Sequence, residues 1–213
     1  QAILTLNILS GFGIQEISSA LLMKKEAVKK ALMRAKKYLR DDVQKLDPLL
    51  ELDNVKRVQI IHTVLNLMFN EGYKLTKSKQ LINHDLCYES MRICKLLLTE
   101  KSALKNETQA LIALQFFTVA RYPSRLKSHG SIVLQADQDR SKWNPQLIKE
   151  GLYYLDEAKK PNIIHKYLIE ATISSLHCSA ESFQETPWAL IVQLYDKLLE
   201  LQPSPVTLLN KIV

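Results

Sequence analysis

Between residues 24 and 40 the chain interleaves charge and hydrocarbon with a helical period. Ala27, Val28, Ala31, Leu32, Ala35 and Leu39 recur at intervals of three and four, and basic side chains fill the positions between them. That spacing predicts an amphipathic helix opening at Lys24. Ahead of it, Ile14, Ile17, Ala20 and Leu21 mark a short helix. Ala2, Ile3, Leu4, Leu6, Ile8 and Leu9 mark another, ending near Gly11. The GFG at 11–13 separates these two, and Leu22-Met23 makes the turn into the basic helix.

The same period continues beyond a polar connector at 41–53. Val58, Ile61, Leu65 and Met68 predict a helix over 55–69. Leu81, Leu86, Met91, Ile93 and Leu97 predict one over 78–98, and Leu111, Leu114, Phe116 and Ala120 one over 107–122, ended by Pro123. A fourth follows Trp143-Asn144-Pro145, with Asn144 as N-cap and Pro145 in the first turn, and stops near Lys160-Pro161. Further helices are predicted over 163–178 and 187–201, and a last one after Pro203-Ser204-Pro205. The fold class is therefore all-α. A helix-turn-helix domain over 1–47 precedes a bundle or solenoid of antiparallel helix pairs over 48–213, with the boundary at Asp47-Pro48. The stretch WALIVQLYDKLLELQPSPVTLLNKIV, from Trp188 to the last residue, resembles a tetratricopeptide unit, and stacked units of that kind serve as protein-binding scaffolds.

Composition agrees with this reading. The 213 residues are 46% hydrophobic and 24% charged, with five glycines and seven prolines, too few for an all-β chain of many tight turns. No run approaches the ~18 apolar residues of a membrane span, and no signal peptide is visible. Gln1 falls inside an apolar run and LLNKIV stops in mid-pattern, so sequence is expected to be missing before Gln1 and after Val213. Cys87, Cys94 and Cys178 are odd in number and lack paired spacing, which argues against a disulfide framework and for a reducing cytoplasm.

Charge changes the picture more. The net charge is +7, yet residues 1–40 alone hold eight Lys/Arg against two Glu. The excess sits at the start, as on a polyanion-binding head carried by a neutral body. A short helix, a tight turn and a basic second helix have the proportions of a helix-turn-helix, whose second helix enters the major groove. Lys24, Lys25, Glu26 and Lys29 would then face base edges, since Lys donates to guanine and Glu accepts from cytosine. Lys30, Arg34, Lys37 and Arg40 suit phosphates. A merely solvated basic face is the competing reading.

The segment LTLNILSGFGIQEISSALLMKKEAVKKALMRAKKYLRD resembles region 4 of bacterial RNA polymerase sigma factors, closest to the extracytoplasmic-function class. The resemblance rests on the Gly-containing turn, Glu16-Ile17, and the helix ending Arg34-Ala35-Lys36-Lys37-Tyr38-Leu39-Arg40. Leu22-Met23 stands where that family usually has Pro or Gly-Val. Phe69-Asn70-Glu71-Gly72-Tyr73, then Asp85-Leu86-Cys87, then Asp137-Gln138-Asp139-Arg140-Ser141-Lys142-Trp143 occur in the order found in members with a long helical C-terminal extension. The resemblance implies recognition of the promoter −35 element and a grip on the β-subunit flap of core RNA polymerase. Region 2 would lie before Gln1. It also implies a regulator without a membrane-bound anti-sigma partner, in which the extension takes over control by packing on region 2 or binding a regulatory protein.

Other motifs stay open. Asp137 and Asp139 lie in the long loop 122–144 with His129 near in sequence, but no HxxxH, HExxH or DxDxDG spacing accompanies them. A buried ion-pair and capping network with Arg140 is the favoured reading for that loop, beside a contact surface for region 2 or a signal. Asn70, Glu71 and Tyr73 fit the mouth of a helical groove, and Gly72 reads as the cap of the preceding helix. The five histidines do not cluster, and His177-Cys178 has no third partner for catalysis. No catalysis, cofactor or metal is expected. Two alternatives remain: a helix-turn-helix regulator of another kind, with a ligand- or protein-binding helical part, and a scaffold whose basic helix meets an acidic protein.

Overall fold

Helix α1 (Ala2–Ile8) is followed by α2 (Ile14–Ala20), the long α3 (Lys25–Asp41), α4 (Asn54–Tyr73) and α5 (His84–Thr99). The computed structural model describes residues 2–8, 10–41, 54–73, 83–99, 104–126 and 131–212, and these contain eleven α-helices and no β-strand. Two compact units result, Gln1–Leu104 and Lys105–Val213. The connector turn at Asp47-Pro48, His129, and the first turns of the helix expected over 78–98 lie outside the described residues.

In the first unit one core joins four helices. Leu6, Phe12, Ile17 and Val28 pack with Val64 and Met68 of α4, each almost without solvent contact. The turn from α1 to α2 is held by the Phe12 amide on the Leu6 carbonyl (3.0 Å) and by Asn7 Nδ2 on the Phe12 carbonyl (2.9 Å). Division by compactness thus falls at Leu104–Lys105, well past Asp47-Pro48. Apolar periodicity shows that α4 has a buried face but not which neighbour buries it.

Gly72 does not cap its helix. It sits inside α4, where a Cβ would stand 2.8 Å from Cys87 Sγ and 3.0 Å from the Asn83 carbonyl oxygen. Its missing side chain lets the N-terminus of α5 approach. There the Asn83 amide donates to the Gly72 carbonyl (2.8 Å), and Asn83 Oδ1 accepts from the Leu86 amide (3.1 Å). Cys87 and Ser90 continue that small-residue contact. Ser90 Oγ donates to the Leu65 carbonyl (2.8 Å), and Cys87 Sγ to that of Phe69 (3.5 Å).

In the second unit α6 (Lys105–Ala120) is the central helix. Ala110, Leu111, Ile112, Ala113 and Phe117 are wholly buried. Apolar side chains all round a helix require neighbours on several sides. Helices α8 (Pro145–Lys159) and α9 (Lys166–Ser179) supply them, α10 (Trp188–Leu201) packs on α9, and α11 (Pro205–Ile212) packs on α10. The expected N-cap is present: Asn144 Oδ1 accepts from the amides of Gln146 and Leu147 (3.0 and 3.1 Å). Pro123 does more than end α6, because it lies in the first turn of a four-residue helix, α7 (Tyr122–Arg125).

Candidate nucleic-acid interface

Helix α3 is seated by Val28 and Leu32, which are buried, and by Ala31, Ala35 and Leu39, which are partly so. Ala27, expected in that stripe, is exposed instead, one step off the buried line. The helix begins at Lys25, one residue later than the spacing predicts. The carbonyl of Lys24 accepts its first bonds, from the amides of Ala27 (2.9 Å) and Val28 (3.1 Å).

The turn from α2 into α3 is closed tightly. Ser18 Oγ donates to the Met23 carbonyl (2.6 Å), and the Met23 amide donates to the Ser18 carbonyl (3.0 Å). Leu22 stands at the apex with φ 53°, in the left-handed region where a side chain is strained. At the start of α2, the Glu16 carboxylate accepts from the Gly13 amide (2.6 Å), one half of a capping box, since glycine has no side chain to return the bond.

All eight sequence-selected residues, Lys24, Lys25, Glu26, Lys29, Lys30, Arg34, Lys37 and Arg40, are exposed. Helical geometry sorts the helical ones into two rows about 100° apart. Lys30, Arg34 and Lys37 share one face. Lys25, Lys29 and Arg40 share the next, and Lys36, which was not among the selected residues, lies in that row. Among the described residues no carboxylate comes within ion-pair distance of any of these cations. Between the rows lie Met33, 64% exposed, and the exposed Glu26 near the start of the helix. The face therefore offers cations in two parallel lines, none within ion-pair distance of a described carboxylate, with Met33 and Glu26 between them. Such a surface suits a polyanion, with the long basic side chains available to phosphates and to base edges.

The other sequence-selected residues do not join this surface. Asn70 is exposed, and Glu71 and Tyr73 are half-buried at the end of α4, where the Tyr73 and Phe69 rings stack with centroids 6.4 Å apart. In the second unit the loop network is real, but it is not a buried ion pair. Asp139 is exposed and caps a 3₁₀ turn through Ser141, while Asp137 is exposed. Ser141 holds the Asp139 carboxyl below its ordinary pKa, against a small opposing effect of burial. Arg140 binds carbonyls rather than acids: Nη1 donates to His177 O (2.8 Å) and Ala180 O (2.6 Å), and Nη2 to Thr186 Oγ1 (3.3 Å). Its guanidinium lies 4.7 Å over the ring of buried Trp143, whose Nε1 donates to Ser124 Oγ (2.6 Å). Spacing could not foretell these acceptors, since main-chain carbonyls at a distant helix end leave no mark in sequence. Among the described residues no three His, Cys, Asp or Glu side chains converge as metal ligands, and no helix is long and apolar enough to cross a membrane.

Residues 57–159 match a family of unknown function (DUF6596). The match begins inside α4 and ends with α8, so it leaves out α1–α3. The whole chain is also similar to the uncharacterized protein R00370 of Rhizobium meliloti (strain 1021), with 34% identity over 213 residues. It spans 50% of that relative's length. No solved structure matches the chain.

Proposed function

We propose that this chain is the C-terminal part of an extracytoplasmic-function-type sigma factor acting in the cytoplasm. In this reading α2, the turn at Leu22-Met23 and α3 form the helix-turn-helix of region 4, and α3 reads the promoter −35 element. One observation carries the reading: the two-row basic face of α3, held on a buried stripe behind a tight turn. Lys24, Lys25, Glu26 and Lys29 face base edges, and Lys30, Arg34, Lys37 and Arg40 take phosphates. The partners are promoter DNA and core RNA polymerase, gripped at its β flap. The helices after α3 regulate that activity, through region 2 or a regulatory protein. The chain performs no catalysis and uses no cofactor.

Neutralising ~5 phosphates gives a slope near −4.5 in log affinity against log salt. Replacing Lys30, Arg34 and Lys37 by Gln should flatten that slope by roughly 2.7. A slope near zero for the unmodified chain would sink the DNA reading and leave a scaffold for an acidic protein. Run-off transcription with core polymerase and the intact gene product then separates the remaining choices. A transcript that depends on the added protein supports a sigma factor. DNA binding without polymerase binding or transcript points to a conventional regulator.

A further inference from the structure

Helix α11 turns its charge inward and its hydrocarbon outward. Lys211 is its one charged side chain. It points toward α10, where Nζ donates to Asp196 Oδ1 (2.5 Å). Thr207 is half-buried on the same side. Leu208, Leu209 and Ile212 are 50%, 60% and 74% exposed. At 100° per residue these three form one stripe, about 100° wide, turned away from α10. Val206, 49% exposed, lies at its edge.

One layer earlier the corresponding hydrocarbon is covered. Ile191 and Leu198 of α10 are buried with Ile169 and Ile173 of α9. A stack of helices that ends at its outermost member presents a polar outer face there. The outward stripe of α11 carries no charge at all. Its pattern is that of an internal layer.

The size of the stripe says what kind of neighbour fits. Stable association of separate chains buries about 800 Å² on each side, from roughly 20–30 residues. The stripe belongs to a helix of eight residues, which is ~12 Å long. It can seat one crossing helix. Within one polypeptide so small a contact suffices, because the tether already supplies a high effective concentration. The similar Rhizobium meliloti protein has the length for such a segment, since the present chain spans 50% of it.

We propose that Leu208, Leu209 and Ile212 form an internal seam, covered by an amphipathic helix of the segment that follows Val213 in the gene product. That helix lays its apolar face on the stripe and adds a further layer to the stack. The seam lies wholly in the second unit and does not depend on the DNA reading.

Thiol labelling of the intact gene product tests this. Leu209→Cys is treated with N-ethylmaleimide and compared with Tyr153→Cys on α8, since both positions are 60% exposed in the present chain. Cys87, Cys94 and Cys178 are buried, so the unsubstituted protein gives the background. In the intact product the Leu209→Cys thiol should react about 100-fold more slowly, the scale on which a packed helix opens locally. That protection should be independent of protein concentration, with the mass of a monomer by light scattering. In the 213-residue chain the two thiols should react within about threefold of one another. As a second variant, Leu208→Gln/Leu209→Gln should lower the melting temperature of the intact product and leave that of the 213-residue chain unchanged. Equal labelling of the two thiols in the intact product would overturn the proposal, as would a reading frame that closes at Val213. Protection that appears only with rising concentration and a doubled mass would overturn it in favour of a second copy.

Discussion

Gly151 of α8 lies flat against the ring of Phe117 of α6, so close that a Cβ would stand 2.7 Å from Phe117 Cε1. Phe117 is wholly buried and cannot yield. Gly151→Ala should therefore destabilise the second unit even though Ala is the better helix former. Overpacking costs about 1–3 kcal/mol and the gain in propensity returns up to about 1 kcal/mol. A net loss near 1 kcal/mol is expected, read as a lower denaturant midpoint. An unchanged or raised midpoint would mean that α6 and α8 are farther apart.

Leu22 makes the opposite prediction. It is 72% exposed, so it buries little, and its φ of 53° is strained for a leucine. The other described non-glycine residue in that region is Asn162, of a type that tolerates it. Leu22→Asn should raise the melting temperature of the first unit, by about 0.5–1 kcal/mol in stability. A fall in stability would show that the Leu22 side chain makes a contact of its own.

A fragment ending at residue 47 should not melt cooperatively, whereas one ending at Leu104 should. The shorter piece loses Val64 and Met68 from the core around Leu6, Phe12, Ile17 and Val28. Burial of two such side chains contributes about 3–6 kcal/mol, comparable with the whole stability of so small a domain. Circular-dichroism melts of the two fragments decide this. A cooperative melt of 1–47 would show that the first three helices are self-sufficient.

His177 sets an acid limit on the second unit. Its folded pKa, about 4, is depressed below the ordinary 6.5 by burial and by Arg121 and Arg140, and its ring meets Trp188 edge-on. The unfolded chain therefore binds the proton first. Stability is full above pH 6.5 and falls as the pH drops from there toward 4. The loss between pH 7 and pH 5 should be about 1–2 kcal/mol. His177→Gln should flatten this part of the pH profile. A wild-type profile already flat over that window would mean that His177 is solvated.

The helices and their stripes were legible in sequence because burial on one side of a helix leaves a period. Val28, Leu32 and the exposed cations of α3 show this directly, as does the Asn144 cap, which needs only an acceptor beside a helix start. Gly72 and Arg140 were misread for one reason. Gly72 looks like a terminator in sequence, but its meaning depends on Cys87 and Asn83 across a helix pair. Arg140 looks like a partner for Asp137 and Asp139, but it reaches carbonyls some forty residues away.

Sequence alone determined the all-helical class, the amphipathic α3 and the concentration of charge on it, since these follow from local periodicity and side-chain ionisation. Tertiary structure decided which faces meet. It joined α4 to the core of the first three helices, buried α6 on several sides, and brought Arg140 onto the carbonyls of His177 and Ala180. Those outcomes depend on close packing between segments distant in the chain, and no local pattern encodes which surface will fill which gap.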